Sequence, residues 1–181
     1  MTNPWKIIKY FLLFILVSLS SCKKTSSSAA SSTPEDVVLV SALLAKAADV
    51  IERKTLLQPC GSGSQMMYEV KMLSLSFVCT KPLELKEAKA LLIDVAETFV
   101  SMINQETKLI PYLYNYPFEV KNVEVTIFIQ NPNSSDDAEG KLCLISTEQG
   151  FCRYHIRDPK SKNLILLKRE PFEKAKQDLK M

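Results

Sequence analysis

Between Leu83 and Lys108 one spacing repeats: Leu85, Ala88, Leu92, Val95, Phe99, Met102 and Ile103 fall on one side of a 3.6-residue period. A run of that length predicts a long helix with one apolar face, bounded by Pro111. Beyond it the period becomes two, with Val123, Val125, Ile127 and Ile129 alternating against Glu124, Thr126 and Phe128. A one-sided helix and a one-sided strand bury their apolar faces on each other, so helices layered on a sheet are expected.

The remaining elements fit this frame. Thr33 as N-cap, Pro34 at the first helical position and the acids Glu35 and Asp36 open a second helix, carrying Val37, Val40, Leu44, Ala47 and Ile51 and fading near Leu57, before Pro59 and a "CGSG" loop. From Met66 to Thr80 the pattern is period two. Its phase shifts from Tyr68, Val70 and Met72 to Leu73, Leu75, Phe77 and Cys79, so a β-bulge is expected near Met72. "KLCLISTEQGFCRYHIRD" reads as a hairpin turning at Gln149 and Gly150, with Ile145 opposite Tyr154, Thr147 opposite Cys152 and Cys143 opposite Ile156. A strand at Leu164 to Lys168 and a short helix with Phe172, Ala175 and Leu179 complete the chain. The expected class is α+β: an antiparallel sheet of about four to five strands, covered on one face by two longer helices, with a short carboxy-terminal helix.

The first 33 residues are different in kind. Residues 1–21 carry Lys6 and Lys9, no acidic residue, and an apolar stretch from Tyr10 to Leu19, about half of what a membrane span needs. That is the layout of a signal peptide. Leu19-Ser20-Ser21-Cys22 resembles the lipobox of bacterial lipoproteins, a Leu and two small residues ahead of a cysteine. The resemblance implies cleavage before Cys22, a diacylglyceryl group on its thiol and a further acyl chain such as palmitate on the new amino group. One chain holds a membrane marginally, whereas two or three hold it stably. It also implies a lipid-anchored place in the bacterial cell envelope, and Lys23, where an Asp would favour the inner membrane, leans to the outer membrane. Residues 22–33 are Ser-rich with no apolar periodicity, the composition of a tether spanning on the order of 20 Å. Residues 34–181 form one globular domain.

Composition excludes several functions. The formal charge of +3 becomes +1 when Lys6 and Lys9 leave with the leader, so the domain has no electrostatic footprint for nucleic acid. Lys160 with Lys162 and Lys168 with Arg169 read as solvated turn and strand-end charges. Gly occurs only at 61, 63, 140 and 150, which makes no phosphate-cradling loop. Cys60, Cys79, Cys143 and Cys152 have no CxxC spacing for zinc; in an exported chain they can form two disulfides or stand as free thiols. Cys143 and Cys152 lie too far apart along the hairpin to bridge each other. Asp136, Asp137 and Glu139 lack the spacing of a calcium loop and read as a polar turn.

A catalytic site is not evident. His155 is the only histidine, and residues three apart on one strand point to opposite faces, which separates it from Cys152. It is expected beside Arg153 and Arg157 on the exposed face. The stretch "IPYLYNYPF" stands out: if extended, Tyr112, Tyr114, Tyr116 and Phe118 line one side between two prolines, a composition suited to an interface. The longer string "LIPYLYNYPFEVKNVEVTIFI" is loosely similar to uncharacterised small lipoproteins of chlamydia-like bacteria, a likeness that implies no activity. The expected function is a lipid-anchored module, not an enzyme and without cofactor or metal, that binds an envelope protein through a sheet edge or the Tyr112–Phe118 strip. A carrier of small molecules or lipids, with a cleft between helix and sheet, is the alternative.

Overall fold

The computed structural model describes residues 33–130, 141–158 and 160–180. The leader, Cys22, the Ser-rich tether and the polar turn with Asp136, Asp137 and Glu139 lie outside the described residues. The elements in chain order are α1 (Glu35–Thr55), β1 (Gln58–Met66), β2 (Val70–Cys79), α2 (Leu85–Gln105), β3 (Val123–Ile129), β4 (Leu142–Glu148), β5 (Phe151–Arg157), β6 (Leu164–Pro171) and α3 (Phe172–Asp178).

The class is α+β, with one six-stranded sheet in the order β1-β2-β3-β4-β5-β6. Two features differ from the expectation of four to five antiparallel strands. β2 and β3 are parallel, because α2 returns the chain along the sheet before β3 begins, whereas the other four pairings are antiparallel. The sixth strand is β1, formed by the "CGSG" segment expected as a loop. Its residues have almost no apolar alternation; pairing with β2 imposes the extended form. The chain reverses at residues 67–69, and the register skips Lys71 between Val70 and Met72, which is the bulge the phase shift called for.

The core lies between the helices and one face of the sheet. Leu73, Leu75 and Phe77 of β2, Val123, Val125 and Ile127 of β3, Ile145 of β4 and Tyr154 of β5 meet Leu92, Val95, Phe99 and Ile103 of α2 and Val40, Ala47 and Ile51 of α1 in one apolar cluster. Burying a residue of this size fully contributes about 1.5–3 kcal/mol. α1 begins one residue later than its cap signal, with Pro34 as the cap and the carbonyl of Pro34 accepting from the Val38 N–H at 3.2 Å. α2 opens with a capping box between Glu84 and Glu87. The hairpin turns at Gln149 and Gly150, both at positive φ, with Ile145 opposite Tyr154 and Thr147 opposite Cys152. A bulge between Leu142 and Leu144 puts Leu142 opposite Ile156 and moves Cys143 out of that place.

Candidate functional site

The face of the sheet turned away from the helices is the side on which no described helix packs. Register builds a band across it: Val78 is opposite Phe128, Phe128 opposite Leu144, Leu144 opposite His155, and His155 opposite Leu166. A polar row runs beside it, through Ser76, Thr126, Ser146, Arg153 and Arg169. His155 belongs to the apolar band as a neutral ring, since partial burial and the neighbouring Arg153 hold its pKa below the ordinary value. Cys152 points to the helix side, so the two residues are separated by the sheet and make no nucleophile-base pair.

The band ends at β6, which among the described residues pairs only with β5 and leaves its outer side open. There Leu164, Ile165, Leu166 and Leu167 are consecutive and each 44–51 % exposed. Because successive side chains of a strand alternate, this run is apolar on both faces of the edge, with unpaired backbone donors and acceptors between. A bulge at Leu167, between the pairs Tyr154 with Lys168 and His155 with Leu166, twists the strand at that point.

Beneath β6 lies a buried ionic cluster that the sequence did not announce. Glu170 is 4 % exposed; its Oε1 meets Lys89 Nζ of α2 at 2.9 Å and its Oε2 meets Lys168 Nζ at 2.8 Å. Lys89 also reaches Asp178 of α3 at 3.1 Å. Burial alone would raise the Glu170 pKa, but the two ammonium groups outweigh it and hold the carboxyl below its usual value. Likewise burial would lower Lys89, and Glu170 and Asp178 outweigh it and raise it. Beside them, burial pushes the Cys152 thiol up to about 11, and it also raises Tyr154. Raised values make these two groups neutral packing residues rather than a nucleophile and its activator. The cluster ties α2, β6 and α3 together from below.

The Tyr-rich link does not form a single extended strip. Residues 110–112 are a 3-10 turn, Leu113 bridges to Val70, and the Tyr116-Pro117 bond is cis. Phe118, proposed from its parity as a surface residue, is therefore turned inward at 2 % exposure, with its N–H and carbonyl held by the Asn104 side chain. Tyr112 is half-buried against the core, and Tyr114 and Tyr116 are exposed.

Of the four disulfide candidates, Cys60, Cys79 and Cys152 stand as free thiols in this structure, and Cys143 is buried on β4. Cys60 stands exposed on β1; Cys79 Sγ donates to the Lys81 carbonyl at 3.2 Å, and Cys143 Sγ to the His155 carbonyl at 3.5 Å. Among the described residues no group of His, Cys, Asp and Glu is placed to hold a metal ion, and no helix is long and apolar enough to cross a membrane. Buried side chains of α2 and the sheet belong to one apolar cluster. Solvent-open grooves among the described residues include one of about 290 Å3 between α1 and the sheet beside Ala45 and Ser62, and one of about 370 Å3 near Leu57 and Leu91. No protein-family profile, curated protein or solved structure matches this chain.

Proposed function

We propose that this chain is a lipid-anchored lipoprotein of the bacterial cell envelope that holds a partner protein through β6 and the apolar band beside it. The observation that carries the reading is the exposed run Leu164–Leu167 on an open edge. Four consecutive aliphatic side chains on a strand with one open edge are costly to leave in water and prone to unwanted pairing, so a strand added by a partner covers both the side chains and the backbone. The partner chemistry that fits is an extended, aliphatic segment. Cys22 supplies the anchor and the tether the freedom to reach, with Lys23 favouring the outer membrane; no catalysis is needed for this role.

The test is photo-cross-linking in native membranes. A photoreactive residue at Ile165 is expected to capture one discrete protein of the envelope, whereas the same residue at Ser62 on β1 captures none. Equal capture at both positions, or none at Ile165, overturns the proposal. The intact mass of the membrane-extracted protein checks the anchor separately: it must match a chain beginning at an acylated Cys22.

A further inference from the structure

Four of the five tyrosines among the described residues sit at one end of the molecule, and so does the point where the chain enters the fold. Tyr68, 91 % exposed, and the equally open Met67 form the reversal between β1 and β2. The Tyr114 N–H donates to the Val70 carbonyl at 3.0 Å, which brings the Tyr-rich link against that reversal, and Lys71 Nζ lies 5.5 Å from the centre of the Tyr114 ring. Tyr116 follows, on a segment fixed where Asn115 donates to Asn122 Oδ1 and Asn122 donates to the Lys71 carbonyl. Tyr112 donates its hydroxyl to Glu35 Oε2 at 3.3 Å, in the first turn of α1. The opposite end of the sheet has no described tyrosine.

We infer that this end, through Met67, Tyr68, Tyr114 and Tyr116, rests in the lipid-water interface next to the protein's own anchor. The inference deepens the proposed function and rests on acylation of Cys22. Covalent geometry ties the two together: residues 22 and 33 are eleven links apart, at most about 40 Å when fully extended. A Ser-rich segment of that length has an expected span of about 20 Å, less than the roughly 33 Å of a ten-residue strand. The end that receives the chain therefore spends more time at the membrane than the far end. Tyrosine combines an apolar ring with a hydroxyl that stays wet, which suits it to the headgroup level, and methionine adapts to an irregular apolar surface. The flanking charges are mixed, with Glu69, Lys71, Glu119 and Lys121 exposed, so zwitterionic lipid is the surface to test. Docking here would leave β6, which runs along the side of the sheet, turned out for its partner.

The sole tryptophan, Trp5, precedes Cys22, so a single tryptophan placed in the domain reports alone. Tyr68→Trp and, as control, Leu166→Trp would be prepared in the processed, membrane-extracted protein and reconstituted in zwitterionic phosphatidylcholine vesicles with brominated acyl chains. Both positions are exposed, and neither change disturbs the core. The expected result is a blue-shifted emission and several-fold stronger quenching at position 68 than at position 166. Equal quenching, or none at position 68, overturns the inference; a protein captured at position 68 without quenching assigns the surface to a protein partner and overturns it too. The same pair in a chain of residues 22–181, held on nickel-chelating vesicles by an amino-terminal histidine tag, reads the surface independently of acylation. Quenching there combined with an unlipidated native mass fails the anchor alone.

Discussion

The two edges of the sheet face the same hazard and treat it in opposite ways. β1 is "QPCGSGSQM", with Pro59 near its start, register shifts at Pro59/Gly61 and at Gln65/Met66, and small polar residues between. Proline, bulges and polar side chains are how an open edge is kept from recruiting another strand. β6 begins with Leu164-Ile165-Leu166-Leu167 and carries Lys168, Arg169 and Pro171 only at its far end. On the proposed reading, the aliphatic edge is the one that takes the partner. The edges are also held differently from inside, β1 by α1 at its flank and β6 by the buried ions on Glu170.

The largest test of that difference compares removal of the buried charge beneath β6 with removal of an exposed one on α1. Lys89→Ala leaves the buried Glu170 with Lys168 as its remaining ion-pair partner and is expected to cost about 3 kcal/mol, because removing one partner of a buried ion pair leaves the other charge less compensated. Lys54→Ala, whose pair with Asp94 at 2.6 Å is about half exposed, is expected to cost under about 1 kcal/mol. Urea unfolding of both variants measures the gap, and equal losses would show that the cluster does not hold β6.

Second in size is the effect on binding. Leu166→Lys puts a charge into the aliphatic run while leaving the core untouched, so stability should stay within about 0.5 kcal/mol. Capture from Ile165 should fall about tenfold, the loss that about 1.4 kcal/mol of binding energy produces. Ser62→Lys on β1 should change nothing. A β6 variant that captures as well as the parent would end the distinction between the edges.

What the sequence revealed of this arrangement follows from how regular each signal is. α1, α2 and β3 were legible because their apolar residues keep one period throughout, and the hairpin because Gln149-Gly150 is a turn pair whose register fixes Ile145 opposite Tyr154. β1 was hidden because its extended form comes from a neighbour, not from its own residues. Phe118 was misplaced because parity holds only for extended chain, and the 3-10 turn at Ile110–Tyr112 breaks it. Glu170 and Lys89 could not be read at all: each stands among other charges of its own element with nothing to mark it as buried, and only the folded chain brings them together. The run Leu164–Leu167 was visible as a strand, but its exposure depends on β6 being last in the sheet.

Acid should act on the β6 side next. The Glu170 pKa is depressed, so its ion pairs contribute stability that is complete above the ordinary carboxylate value of 4.5 and is lost as pH falls through the lower folded value. Lys89 is raised, and its share is complete below the ordinary 10.5 and lost as pH rises past it. Unfolding free energy followed from pH 7 downward should therefore decline below about 4.5. Glu170→Gln should be less stable at pH 7 and decline less, and an unchanged slope would place the acid sensitivity elsewhere.

The smallest effect belongs to β1, where the backbone approaches closely. A Cβ on Gly63 would lie 2.8 Å from Ser74 Oγ on β2, while one on Gly61 meets Ser76 Cβ at an ordinary 3.5 Å. The Ser74 hydroxyl can rotate away, so Gly63→Ala is expected to cost only about 0.5–1 kcal/mol, whereas Gly61→Ala is neutral or slightly stabilising because alanine orders the unfolded chain. Combining Gly63→Ala with Ser74→Ala removes the clashing oxygen and should restore most of the loss, a coupling that a double-mutant cycle reads directly. If the pair is additive instead, the small residues of β1 serve no close packing with β2. They would then be there only to keep that edge unattractive to another strand, which makes the contrast with β6 sharper.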